Sequence, residues 1–205
     1  MYEDLPVSDY SIKVEVSMKE GSKCSVILVH GASNDMHYPV MEMLFDELKK
    51  KCTVFRFNFS FVNKRKPDIK ENLHELRAVI RLLNPHNDIF LIGKSYGGHI
   101  CLLETKDGST PIRKTIVLGY AIHEHMNPDN VDNKFVYQLD DIKDRIVFVL
   151  GDNDPKCTLA KFKELLPEVK YFALPGNHSF KDKTGKIPRE NIERIVDIVN
   201  KEIGL

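Results

Sequence analysis

Hydrophobic and polar positions along the chain fall into two alternating rhythms. Over residues 11–18, Ile12, Val14, Val16 and Met18 fall on one face and Ser11, Lys13, Glu15 and Ser17 on the other. This period of two predicts a half-exposed strand near a sheet edge. The later runs Val26-Ile27-Leu28-Val29, Val54-Phe55-Arg56-Phe57, Ile89-Phe90-Leu91-Ile92, Thr115-Ile116-Val117-Leu118 and Ile146-Val147-Phe148-Val149-Leu150 are almost continuously apolar, with a weaker one at Tyr171-Phe172-Ala173-Leu174. Such runs fit strands covered on both faces, as in a parallel sheet. Between them, Val40, Met43, Leu44 and Leu48 recur at helical spacing within 39–50, as do Leu73, Leu76, Val79, Ile80 and Leu83 within 69–83. Further helices are expected at 96–104, 159–165 and 189–203.

Strand–helix alternation with right-handed crossovers implies an α/β three-layer α/β/α sandwich around a mostly parallel sheet. With no repeat, low-complexity tract or linker, the 205 residues are expected to form one domain, 1–205. Two connections are longer than the norm, 120–144 and 176–188. Long loops in a compact domain are often functional. The first reads as polar and irregular, too short to fold into a large lid.

Charge narrows the partners. Thirty basic and thirty acidic residues cancel, leaving no global field to recruit nucleic acid or an anionic membrane. The start, Met1-Tyr2-Glu3-Asp4-Leu5-Pro6, lacks the basic and apolar stretches of a signal peptide. Cys24, Cys52, Cys101 and Cys157 are scattered without a Cys-x-x-Cys pair. That spacing argues against zinc and against a disulfide framework. Reduced cysteines in a cytoplasmic protein are expected.

Chemistry concentrates after the third long apolar run. Gly93-Lys94-Ser95-Tyr96-Gly97 has the Gly-x-Ser-x-Gly spacing of a nucleophile elbow. There a sharp strand-to-helix turn presents one serine hydroxyl, and the flanking glycines let strand and helix approach. A phosphate-binding loop would need glycine at position 88, which is Asp. Ligands of open α/β sheets bind beyond the carboxyl ends of the strands. Four segments deliver reactive groups to that rim: His30-Gly31-Ala32, Ser95, Asp152 with Asp154, and His178. His123 and His125 compete with His178 for the role of base. As a metal pair they lack a nearby third ligand.

The chain resembles the α/β-hydrolases, nearest to compact, dienelactone-hydrolase-like serine esterases without a lid domain. The resemblance rests on His30-Gly31-Ala32, Gly93-Lys94-Ser95-Tyr96-Gly97-Gly98, Gly151-Asp152-Asn153-Asp154-Pro155 and Gly176-Asn177-His178. It implies Ser95 as nucleophile, His178 as base and Asp154 as orienting acid, with Asp152 the alternative. The same resemblance implies backbone N–H groups of Ala32 and Tyr96 as the oxyanion hole, and His30 shaping that turn. No metal or organic cofactor is implied. Asn34, Tyr120 and His123 are expected near the substrate, whereas His99 is expected to pack on its helix. Lys64-Arg65-Lys66 reads as a solvated turn, with attraction of an anionic acyl group the alternative. The implied activity is hydrolysis of an ester, thioester or related acyl bond of a small-molecule substrate. A peptidase or amidase, and a binding or scaffold module on the same fold, are the rival readings.

Overall fold

The computed structural model describes residues 1–63 and 66–205, so Lys64 and Arg65 of the basic turn lie outside the described residues. Lys66 is exposed. The chain begins with a hairpin, β1 (Tyr2–Val7) and β2 (Tyr10–Ser17). It continues as β3 (Cys24–Val29), α1 (Pro39–Leu48), β4 (Thr53–Phe57), α2 (Ile69–Ile80), β5 (Asp88–Lys94), α3 (Tyr96–Asp107) and β6 (Ile112–Leu118). Then follow β7 (Ile146–Gly151), α4 (Leu159–Leu165), β8 (Lys170–Leu174) and α5 (Arg189–Ile203).

All eight strands join one sheet in the order β1-β2-β4-β3-β5-β6-β7-β8. β1 and β2 are antiparallel to their neighbours, while β3 to β8 pair in parallel. The amphipathic segment is therefore second from the edge, and β1 outside it has no counterpart in the sequence reading. Tyr2, Glu3 and Asp4 are exposed, so the edge strand carries no alternating apolar face to betray it.

The continuous apolar runs are covered on both sides. In β3, Ile27 and Val29 pack with Leu76, Val79 and Ile100 of α2 and α3. The alternate residues Val26 and Leu28 pack with Leu44 of α1 and Ile195 and Val199 of α5. β7 repeats the division, with Phe148 and Leu150 against Phe162 of α4 and Val149 on the α5 side. Helix ends follow local chemistry. Pro39 opens α1, the Asp68 carboxylate accepts the Glu71 N–H at 2.9 Å to start α2, and Gly108 ends α3 in the left-handed region at φ 71°.

The connection between β6 and β7 departs from the expected polar loop. It contains two 3-10 segments, Lys134–Gln138 and Asp140–Arg145. These, with Leu139 between them, bury Val136, Leu139 and Ile142 against Leu102 and Phe148. The apolar residues are too sparse for an α-helical stripe, yet each fills a gap beside α3.

Candidate active site

The rim at the carboxyl ends of the parallel strands is stitched laterally. Just past each strand end, a backbone N–H donates to its neighbour: Ser95 to the Leu118 carbonyl at 3.0 Å, Gly119 to Val149 at 2.8 Å, and Asp152 to Leu174 at 2.8 Å. β5, β6, β7 and β8 thus present their following residues along one continuous edge.

Ser95 stands on a strained turn, at φ 52° and ψ −113°, a region that residues with a Cβ rarely occupy. Packing enforces it. A side chain on Gly93 would meet the Gly98 backbone at 2.5 Å, and one on Gly97 would strike the carbonyls of Val29 and His30. With those side chains absent, α3 starts directly against β5 and β3, leaving Ser95 at the apex.

Three side chains converge there. Ser95 Oγ lies 2.8 Å from His178 Nε2, and His178 Nδ1 lies 2.7 Å from Asp154 Oδ2. A carboxylate only accepts, so the proton sits on Nδ1 and Nε2 is free to take the serine hydroxyl proton. Asp154 is buried and its other oxygen accepts the Lys156 N–H at 2.8 Å. Asp152 points elsewhere. It accepts the Gly176 N–H at 2.9 Å and an amide N–H of Asn153 at 2.6 Å, bracing the start of the histidine loop. From the far side, the Asn191 amide of α5 donates to the Pro175 and Phe180 carbonyls at 2.6 and 3.1 Å.

His178 has its pKa lowered below the ordinary 6.5, chiefly by burial. The hydrogen bond to Asp154 opposes that shift, and the positive charges of Lys94 and Lys156 reinforce it. Lys94 itself is 1% exposed. Its ammonium lies 3.1 Å from where a side chain on Gly119 would begin, and burial pushes its pKa down to about 8 against the attraction of Asp154. The sequence reading passed over Lys94. Only its position inside the elbow motif could have drawn notice.

The turn after β3 forms the opposite wall. His30 is buried, and burial lowers its pKa to about 4, so the ring is neutral. Its Nε2 accepts the Phe59 N–H at 3.1 Å, which places the proton on Nδ1, donated to the Gly31 carbonyl at 2.8 Å. Across a trans peptide the carbonyl and the next N–H point in opposite directions. Holding the Gly31 oxygen toward His30 therefore turns the Ala32 N–H away from it. Gly31 is close enough that a side chain there would lie 3.5 Å from Ser95 Cβ. The Tyr96 N–H opens α3 and has no intrahelical acceptor.

A cavity of about 360 Å³ adjoins Ser95, lined by Ile69, Tyr96, His99, Tyr120, Ala121, Asp132 and Asn133. Tyr120 is on this wall as expected. His99 joins it, because its Nδ1 meets the Tyr120 hydroxyl at 3.1 Å and the ring turns to the cavity side of α3. Asn34 borders a second hollow of about 620 Å³ shared with Ala32, His37, Tyr38 and Phe61.

His123 corrects the sequence reading. It is buried, donates from Nδ1 to the Glu124 carbonyl at 2.8 Å and accepts the Thr158 N–H at 3.0 Å. Both ring nitrogens are consumed in tying the loop after β6 to the start of α4, and the residue is not on the wall of the cavity beside Ser95. Among the described residues no group of three or more His, Cys, Asp or Glu side chains is placed to hold a metal ion. No helix among them is long and apolar enough to cross a membrane.

Comparison with known proteins gives relatives of the fold. A family model described as an alpha/beta hydrolase domain matches residues 22–204. Among solved structures, an alpha-beta serine hydrolase homologue from Coxiella burnetii superposes with a TM-score of 0.77 at 17% identity, over 99% of this chain and 97% of that one. A serine hydrolase without a lid from Xanthomonas campestris gives 0.73 at 17% identity, over 100% and 93%. An esterase from Pyrococcus furiosus gives 0.76 at 17%, over 100% and 94%.

Proposed function

The chain belongs to the alpha/beta hydrolase family, and from that premise we propose that it is a serine hydrolase cleaving small carboxylic esters or thioesters through an acyl-enzyme. One observation carries the reading: the unbroken hydrogen-bonded line from Asp154 through His178 to Ser95, at 2.7 and 2.8 Å.

In the proposed reaction Ser95 Oγ attacks the acyl carbon as its proton passes to His178 Nε2. Asp154 stabilises the imidazolium without taking the proton. The N–H groups of Ala32 and Tyr96 receive the developing oxyanion, and loss of such a donor costs about 10²–10³ in turnover. The imidazolium then protonates the leaving oxygen or sulfur. Water, deprotonated by the same nitrogen, releases the acid and restores the hydroxyl. The acyl group occupies the cavity beside Ser95, whose volume of about 360 Å³ is at the low end for small-molecule sites. Four free cysteines fit a reducing compartment, and the cytoplasm is the proposed setting.

A fluorophosphonate probe tests the assignment. Wild-type protein is expected to be labelled covalently and Ser95→Ala to be unlabelled, with Asp154→Asn lowering ester kcat/KM on the order of 10³–10⁴-fold. Undiminished labelling of Ser95→Ala would remove Ser95 from its role. A wild-type chain that neither labels nor hydrolyses esters would leave the scaffold reading. Faster cleavage of anilides than of matched esters would favour the peptidase.

A further inference from the structure

Away from the site, two sulfur atoms stand closer than packing alone requires. Cys24 opens β3 and Cys52 immediately precedes β4. These strands pair in parallel with Ser25 opposite Thr53, so the register sets the two cysteines opposite each other. Both pack into the same cluster, on the α1 side of the sheet, which puts their side chains on one face. The Sγ atoms are 2.7 Å apart. That is inside van der Waals contact, and a bond at about 2.05 Å needs only a small further approach.

The surroundings make the two thiols unequal. Cys24 is half-buried while Cys52 is fully buried, and both are free thiols. Lys49, Lys50 and Lys51 directly precede Cys52. The contact between the two sulfurs and the charge of Lys51 pull the Cys52 thiol down, while the same contact together with burial pushes Cys24 up.

We propose that Cys24 and Cys52 are a reversible oxidation site, forming an intrachain disulfide in exchange with low-molecular-weight disulfides such as oxidised glutathione. Cys24 loses its proton to solvent, and its sulfur attacks one sulfur of the small disulfide, whose S–S bond breaks to release one thiolate that takes up a proton. Cys52 then loses its proton to solvent, and its sulfur attacks Cys24 Sγ, breaking the mixed disulfide and releasing the second thiolate, which is protonated in turn. Two protein thiols are oxidised to one disulfide, and one small disulfide is reduced to two thiols.

The bridge would join the amino-terminal ends of β3 and β4, opposite the rim that carries Ser95. It closes a span of 28 residues that includes the His30–Ala32 turn and α1. Closing it restricts the unfolded chain without moving the folded site. Oxidation is therefore expected to raise the melting temperature by about 5 °C or more and to leave ester kcat/KM within about twofold of the reduced protein.

The test is a redox titration of the folded full-length protein in glutathione buffers, quenched by alkylation and read by intact mass and non-reducing peptide mapping. The expected result is joint loss of alkylation at Cys24 and Cys52, loss of two hydrogens and a peptide linking them, with Cys101 and Cys157 still reduced. Cys24→Ser and Cys52→Ser, made separately, are each expected to abolish both the linked peptide and the redox dependence of melting. The wild-type titration decides alone should either variant fail to fold. Independent alkylation of the two cysteines throughout, accumulation of a glutathione adduct on Cys24 without an internal bridge, or equal melting of oxidised and reduced protein would each overturn the proposal.

Discussion

At the scale of single residues, the most consequential are those whose chemistry depends on a neighbour. Lys94 places a buried cation near His178 and Asp154, with Lys156 adding a second positive charge. A cation disfavours imidazolium, so Lys94 helps to keep His178 neutral at lower pH. As the proposed base, His178 acts only when neutral, and its pKa is lowered. The acid limb of kcat/KM is therefore expected to have its midpoint below 6.5. Removing the charge in Lys94→Met allows the imidazolium to form more readily, so that limb moves to higher pH. A pH–rate profile in which the limb stays or moves down would sever Lys94 from His178. His30 acts at one remove, through the Gly31 carbonyl. His30→Phe frees that carbonyl and lets the Ala32 N–H swing. A loss in kcat of about 10–10²-fold with little change in KM is expected, less than complete removal of an oxyanion donor. Steady-state kinetics on a soluble ester would show it, and rescue by an asparagine that restores a donor would separate orientation from simple misfolding.

At the scale of elements, the elbow and the α2–α3 pair are the points of tension. Gly97→Ala would drive a methyl into the Val29 and His30 carbonyls, forcing α3 off the β3 end. Loss of probe labelling in any protein that still folds is the expected outcome. α2 and α3 are clamped by Arg77, which donates to the buried Glu104 carboxylate at 2.7 Å and to Asp107 at 2.8 Å. Thr110 supplies a further donor to Glu104 at 2.8 Å. Arg77→Ala leaves a buried carboxylate short of its cation, while partial exposure of Arg77, 33%, lets water replace some of it. A loss of about 1–3 kcal/mol is expected in urea unfolding, and Glu104→Gln in the Arg77→Ala background should recover part of it. Helix boundaries were legible in sequence only in part: Pro39 opens α1 as expected, whereas α3 runs on to Asp107, past the expected 96–104, before Gly108 closes it. The 3-10 segments after β6 were not, because Val136, Leu139 and Ile142 are apolar for the sake of α3 and β7, partners that periodicity within the segment does not reveal.

At the scale of the whole molecule, the proposed preference for small substrates rests on the shape of the rim. The connection between β6 and β7 packs down beside α3, and the cavity beside Ser95 is small. Turnover of p-nitrophenyl esters is accordingly expected to fall from short to long acyl chains, by about tenfold or more between butyrate and palmitate. A rise with chain length would contradict the small-substrate reading. By itself the sequence determined the alternation of strand and helix, the three-layer class, and the candidates Ser95, Asp154 with Asp152 as its alternative, and His178. These follow from signals written within a few residues: apolar runs of strand length, glycines flanking a serine, and an acid and a histidine just past strand ends. Tertiary structure alone decided that Asp154 rather than Asp152 faces the imidazole, that His99 joins the cavity wall while His123 leaves it for Thr158, and that Cys24 meets Cys52. Those outcomes depend on register, on which way a loop crosses the rim, and on side chains brought together across tens of residues. A one-dimensional pattern specifies each local conformation, whereas the direction of a side chain at a loop end is fixed by whatever the rest of the fold packs against it.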